Sequence, residues 1–208
     1  MPGVIQQWDL SVLSWLRSCH DPAAIWTAWL VATLAWKGGV FWLIAAALWL
    51  KGSRKTAVQM IIALLVGVAE AGILKGLVLR PRPDLYASQQ LNIPMPELLS
   101  TTHSFPSGHT LLVAAAAAVV IFTYKDWRGW LAGLFVVAIG VTRVFQGMHW
   151  PSDVILSVVL GAVAAFVAVK VSGLPLIERF TGQKRAGARA AGAEVTPVAG
   201  AEAPRALV

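Results

Sequence analysis

Five apolar stretches, at residues 23–50, 56–79, 110–124, 130–144 and 154–171, constrain this chain more than any other feature in it. The hydrocarbon core of a bilayer is about 30 Å thick and takes roughly 20 residues of helix to cross, and each stretch is near that length. Inside lipid a backbone N–H or C=O must find its partner within a helix or a closed barrel, and long unbroken apolar runs select the helix. Hydrophobic residues make up 57% of the 208 residues and charged residues 13%, beyond the apolar share of about 45–50% usual for soluble domains. The expected fold is an all-α membrane protein, a bundle of about five transmembrane helices plus an N-terminal interfacial helix. Lys37, Gly38 and Gly39 interrupt the first stretch and are expected to bend or divide it.

The interfacial helix is read from residues 4–16, where Ile5, Trp8, Val12, Trp15 and Leu16 fall at helical spacing with Gln6, Gln7, Asp9 and Ser11 between them. No basic leader precedes a short apolar core there, so no signal peptide is expected and the mature chain is expected to start near Met1. Cys19 has no second cysteine to pair with, and His20 beside it does not make a metal site. From residue 179 the chain is rich in Ala, Gly and Pro with no apolar period, the composition of a disordered tail. The expected organisation is therefore an interfacial segment at 1–22, a transmembrane domain at 23–178 and a basic tail at 179–208. Much of the formal charge of +7 belongs to that tail, where it suits anionic lipid. Nucleic acid is excluded as a partner, because it requires a basic face on a soluble fold.

Lys51, Arg54 and Lys55 follow the first stretch, Lys125 and Arg128 join the third to the fourth, and Lys170, Arg179, Lys184, Arg185 and Arg189 follow the fifth. With five spans all three clusters share one side, which the positive-inside rule makes the cytoplasm. The expected setting is a plasma membrane, with the C-terminus cytoplasmic and the polar segments at 80–109 and 143–153 on the outer side. Arg80, Arg82 and Arg143 break the rule there, which marks them as candidates for function.

Three polar islands lie on that side. The first is Lys75 with Arg82 and Pro83. Lysine supplies a point charge and arginine a planar fork matched to two phosphate oxygens, while Pro81 and Pro83 stop the helix and stiffen the segment. The plainer alternative is cations snorkelling at a helix end. Arg80 is the weaker of the two arginines, expected to face lipid headgroups or close the loop. The second island, Pro106-Ser107-Gly108-His109, runs into the third apolar stretch. A helix start offers unpaired N–H groups, glycine permits close approach, and His109 stands within reach of an anion held there. The alternative is a serine cap beside an interfacial histidine. The third island is Arg143, His149 and Asp153, with Pro151 opening the fifth helix. A carboxylate on one imidazole nitrogen fixes the tautomer and leaves the other nitrogen free to attack phosphorus. Here the alternative is an aspartate that merely complements the helix dipole.

Together, Lys75-x6-Arg82-Pro83, Pro106-Ser107-Gly108-His109 and Arg143-x5-His149-x3-Asp153 resemble the three signature motifs of the type 2 phosphatidic acid phosphatase superfamily, across residues 55–172. These are the membrane relatives of bacterial acid phosphatases and vanadium haloperoxidases. One departure is Thr142, where the family has serine, and it keeps the hydroxyl. The resemblance implies that His149, oriented by Asp153, is the nucleophile that forms a phosphohistidine, and that His109 is general acid and then base. It implies that Lys75, Arg82 and Arg143, with Ser107 and Gly108, hold the phosphoryl oxygens, as charge spread over equatorial oxygens requires. No metal and no cofactor is expected, since three cations stand where a metal would and no carboxylate cluster or His pair has zinc or magnesium spacing. His103 is assigned to the loop surface, and Glu70 is expected to pair internally or be protonated, in a structural rather than a catalytic role.

The segment 84–104, with Leu91, Ile93, Met95, Leu98 and Leu99, is apolar enough to lie on the membrane as a lid or lipid guide. The expected activity is hydrolysis of a terminal phosphate or diphosphate from a membrane lipid of the outer leaflet. Polyprenyl diphosphate ranks first, phosphatidic acid and phosphatidylglycerophosphate next. A lipid phosphotransferase would use the same residues. A haloperoxidase is opposed by the five spans, and a transporter or scaffold has no need of His149, His109 and three cations together.

Overall fold

The computed structural model describes residues 3–18, 39–83 and 103–181, and these form seven helices and no strand. They are α1 (Val4–Ser18), α2 (Gly39–Leu50), α3 (Arg54–Leu77), α4 (Gly108–Tyr124), α5 (Trp127–Phe145), α6 (Pro151–Ser172) and α7 (Pro175–Thr181). α3, α5 and α6 are long and apolar enough to cross a membrane, whereas α2 and α4 are apolar but shorter. The first apolar stretch before Gly39, Cys19 with His20, the segment 84–102 and the tail beyond Thr181 lie outside the described residues.

Local capping sets the helix limits. Asp126 accepts the Arg128 N–H at 2.9 Å and starts α5 at Trp127, ahead of the apolar run. Pro151 opens α6, where its fixed φ suits the first helical position. α3 stops at Leu77 because Val78 turns extended before Pro81 and Pro83. α7 ends at Thr181, with the Phe180 and Trp49 ring centroids 5.6 Å apart.

α4 is the hub, packed against α3, α5 and α6. Its residues from Thr110 to Val119 are all buried, and the run Ala114 to Ala118 lets its neighbours approach closely. A methyl group on Gly161 of α6 would lie 2.6 Å from the Leu111 carbonyl oxygen and 2.7 Å from the Ala115 nitrogen, so a missing side chain sets that crossing. Outward faces carry Leu65, Ile73, Leu134, Val137, Ile155 and Phe166, as contact with lipid demands. Because chain direction alternates, the C-terminal ends of α3 and α5 meet the N-terminal ends of α4 and α6 at one end of the bundle. The other end gathers Arg54, Lys125, Arg128 and Lys170, and there Gln59 donates to Ser172 Oγ at 2.9 Å.

Candidate active site

His149 sits on the turn between α5 and α6 and is only 2% exposed. Its Nδ1 is 2.6 Å from the backbone oxygen of Ser104. A carbonyl can only accept, so Nδ1 carries the proton and Nε2 keeps its lone pair. Burial pushes the imidazole pKa well below the ordinary histidine value, and the positive charges of Arg143, Arg82 and Lys75 push the same way against the Ser104 hydrogen bond. The ring is therefore neutral near pH 7, with an unprotonated nitrogen available as a nucleophile.

The cations are held against the same turn. Arg82 and Arg143 are both buried and lie close enough to repel each other. Arg82 Nη1 donates to the Met148 carbonyl at 3.1 Å, and Arg143 Nη1 to Gln146 Oε1 at 2.7 Å. Among the described residues Arg143 Nε has no hydrogen-bond partner. A buried donor left so costs about 1–3 kcal/mol, a cost that an anionic oxygen would remove. Lys75, half-buried in the last turn of α3, is the third charge acting on His149. Such a group of fixed cations around a neutral imidazole can bind a phosphoryl group and attack it.

At the start of α4 the geometry differs from expectation. The Ser107 N–H is already donated, to Ser157 Oγ at 2.8 Å, and the Ser107 hydroxyl pairs with Thr110 Oγ1 at 2.9 Å. The reason is helix packing: Ser157 of α6, itself donating to the Asp153 carbonyl at 2.6 Å, presses against this turn. A methyl group built on Gly108 meets nothing within 4 Å, so protein packing does not demand glycine there. His109 follows, half-buried in the first turn.

The expected hydrogen bond between Asp153 and the His149 ring is not made. Asp153 is fully buried, but its Oδ2 accepts the Trp150 N–H at 3.0 Å and its Oδ1 pairs with Arg80 Nη1 at 2.5 Å. As the third residue of α6 it reaches back to the helix cap, and Ser104 takes the imidazole instead. Arg80 meets one of its two expectations and departs from the other. Its backbone closes the loop, the carbonyl accepting the Ser104 N–H at 2.8 Å, but its side chain, rather than facing headgroups, bridges Asp153 and Asp9, the latter at 2.6 Å, with the guanidinium 5.3 Å from the centre of the Trp150 ring. Asp9, Ser104, Trp150 and Ser157 carried no sequence signal, whereas the rule-breaking charge of Arg80 was one. Thr142 turns its hydroxyl to the Ile139 carbonyl, 2.8 Å away within α5. His103 is half-buried beside Ser104. Of the two expectations for Glu70, internal pairing is not made at Oε2, which has no hydrogen-bond partner among the described residues. Among those residues no three His, Cys, Asp or Glu side chains gather as metal ligands.

Fold and cluster together define an α-helical membrane protein with a cationic, histidine-centred cluster at one end of the bundle. The chain belongs to the PAP2 superfamily, whose family profile matches residues 56–174. It is 28% identical over 142 residues to an undecaprenyl-diphosphatase of Sulfolobus acidocaldarius, covering 67% of each chain. To undecaprenyl-diphosphatase BcrC of Bacillus subtilis it is 29% identical, over 64% of this chain and 67% of the relative. Phosphatidylglycerophosphatase B of Escherichia coli is 36% identical over 81 residues, 35% of this chain and 32% of that one. The crystal structure of a transmembrane PAP2-type phosphatidylglycerolphosphate phosphatase from Bacillus subtilis shares the fold, with a TM-score of 0.67 at 19% identity over 82% of this chain and 87% of that one.

Proposed function

We propose that this PAP2 superfamily member is a membrane lipid phosphatase that releases a terminal phosphate or diphosphate phosphoryl group through a phosphohistidine on His149. The observation that carries the reading is His149, anchored at Nδ1 by the Ser104 carbonyl, under the charges of Arg143, Arg82 and Lys75. Nε2 attacks phosphorus, the bond to the leaving oxygen breaks, and His109 protonates that oxygen. Water then attacks the phosphohistidine, with His109 taking its proton, and inorganic phosphate leaves. Lys75, Arg82 and Arg143 hold the equatorial oxygens, Gly108 leaves room for them to approach the start of α4, and Ser107, paired with Ser157 and Thr110, shapes that turn. Asp153 acts through the backbone beside His149. No step needs a metal or a cofactor.

The fold proposed is five spans with α1 in the interface, in a plasma membrane, with the site outside and the C-terminus in the cytoplasm. The gathering of basic residues at the end of the bundle opposite His149 supports this orientation. The relatives support a lipid substrate, ranked as undecaprenyl or another polyprenyl diphosphate, then phosphatidylglycerophosphate and phosphatidic acid. The test is phosphate release from these lipids by detergent-purified protein in EDTA, beside His149→Ala. Release that survives EDTA and is lost in the variant is expected. Release that EDTA stops, or that the variant keeps, contradicts the mechanism.

A further inference from the structure

We propose that Asp9, on the N-terminal helix, is a positioning residue for this reaction, acting through Arg80 and the first turn of α6 to hold the His149 turn. The proposal rests on the hydrolytic reading above. α1 turns Val4, Ile5, Trp8 and Trp15 outward, while Asp9 on its inner face is 0% exposed. A buried carboxylate is costly unless each oxygen is matched, and here both are. Oδ1 accepts the Ser152 N–H at 2.9 Å, and Oδ2 accepts the Ser152 hydroxyl at 2.7 Å and Arg80 Nη2 at 2.6 Å.

Two routes run from Asp9 to His149. Along the first, Asp9 takes the Ser152 N–H and Asp153 takes the Trp150 N–H, so carboxylates from two different helices cap the turn whose preceding residue is His149. Along the second, Asp9 and Asp153 grip Arg80 from two sides, the Arg80 carbonyl accepts the Ser104 N–H at 2.8 Å, and the Ser104 carbonyl holds His149 Nδ1. Asp9 touches none of the groups that would meet substrate. It also lies outside the span 56–174 matched by the family profile.

The experiment compares full-length wild type with Asp9→Asn, Asp9→Glu, Arg80→Gln and the Asp9→Asn/Arg80→Gln double variant, all purified in detergent. Asparagine keeps the shape but aims an N–H group or an uncharged oxygen at Arg80. Per folded molecule, Asp9→Asn is expected to lower kcat by about 10- to 100-fold with KM within about threefold, the signature of a misplaced reacting group. Asp9→Glu is expected to recover part of the loss, and the double variant to be about as slow as Arg80→Gln alone, since coupled residues are not additive. Amide hydrogen exchange at residues 149–153 is expected to quicken while the interior of α4 stays protected. Activity within about twofold of wild type, a loss matched by lost folded protein, or losses that multiply in the double variant would overturn the proposal. If the wild type releases no phosphate from any lipid, the hydrolytic reading falls, and exchange at 149–153 unchanged by Asp9→Asn overturns the positioning role on its own.

Discussion

The middle of the α4–α6 contact and its polar end are built by opposite means. In the middle, Gly161 lies against the Leu111 carbonyl and Ala115 with no room for a methyl group. At the end, Ser107 and Ser157, then Asp153, Arg80 and Asp9, are joined by hydrogen bonds and ion pairs. Lipid offers little apolar driving force between helices, so close contact of small residues fixes where the helices run. Directed polar bonds then fix how their ends present His149, Arg82 and Arg143. The middle should therefore be sensitive to added atoms, and the end to lost charge.

His149→Ala is expected to break the polar end most severely, lowering phosphate release at least about 1,000-fold while the thermal midpoint in detergent holds, because the proposed nucleophile is gone. Arg143→Ala should cost about 100- to 1,000-fold, the scale of removing one preorganised donor from a developing charge. Steady-state phosphate release per folded molecule measures both. The two glycines sharpen the contrast. Gly108→Ala should leave the thermal midpoint unchanged but lower turnover by about tenfold, as the methyl group enters the space assigned to the phosphoryl oxygens. Gly161→Ala should do the reverse, costing about 1–3 kcal/mol of stability with turnover per folded molecule kept.

The smallest effect concerns pH. The folded pKa of His149 is lowered by burial and by Arg143, Arg82 and Lys75, so below the unfolded value of 6.5 the unfolded chain binds the extra proton first. Stability is therefore full above that pH and falls as pH drops through it, by at most about 1.4 kcal/mol per unit from this one group. Thermal midpoints at pH 7.5 and 5.5 should show a smaller drop in His149→Gln than in wild type.

The two regions also differ in how well the sequence reveals them. The run Ala114 to Ala118 marks α4 as a helix that others approach closely, and the spaced motifs lead directly to Lys75, Arg82, Arg143 and His149. Their convergence depends only on alternating helix direction, which the spacing of apolar stretches already implies. Hydrogen-bond choice is different. Whether Asp153 reaches the His149 ring or the cap N–H depends on side-chain geometry that spacing does not carry, and the Ser104 carbonyl is a backbone atom with no sequence signature. Asp9 meets Arg80 across 71 residues of sequence, and in the sequence it looks like one more polar position on an amphipathic helix. The Ser107 N–H reads as open until Ser157 is seen to occupy it.

The most direct test of the account is to mix the purified protein with lipid labelled in the terminal phosphate, quench in alkali within milliseconds, and map the labelled residue by mass spectrometry. The account predicts an alkali-stable, acid-labile phosphoryl group on residue 149 that forms and decays at rates consistent with turnover. Label on another residue, or full turnover with no labelled protein at any time, would contradict it.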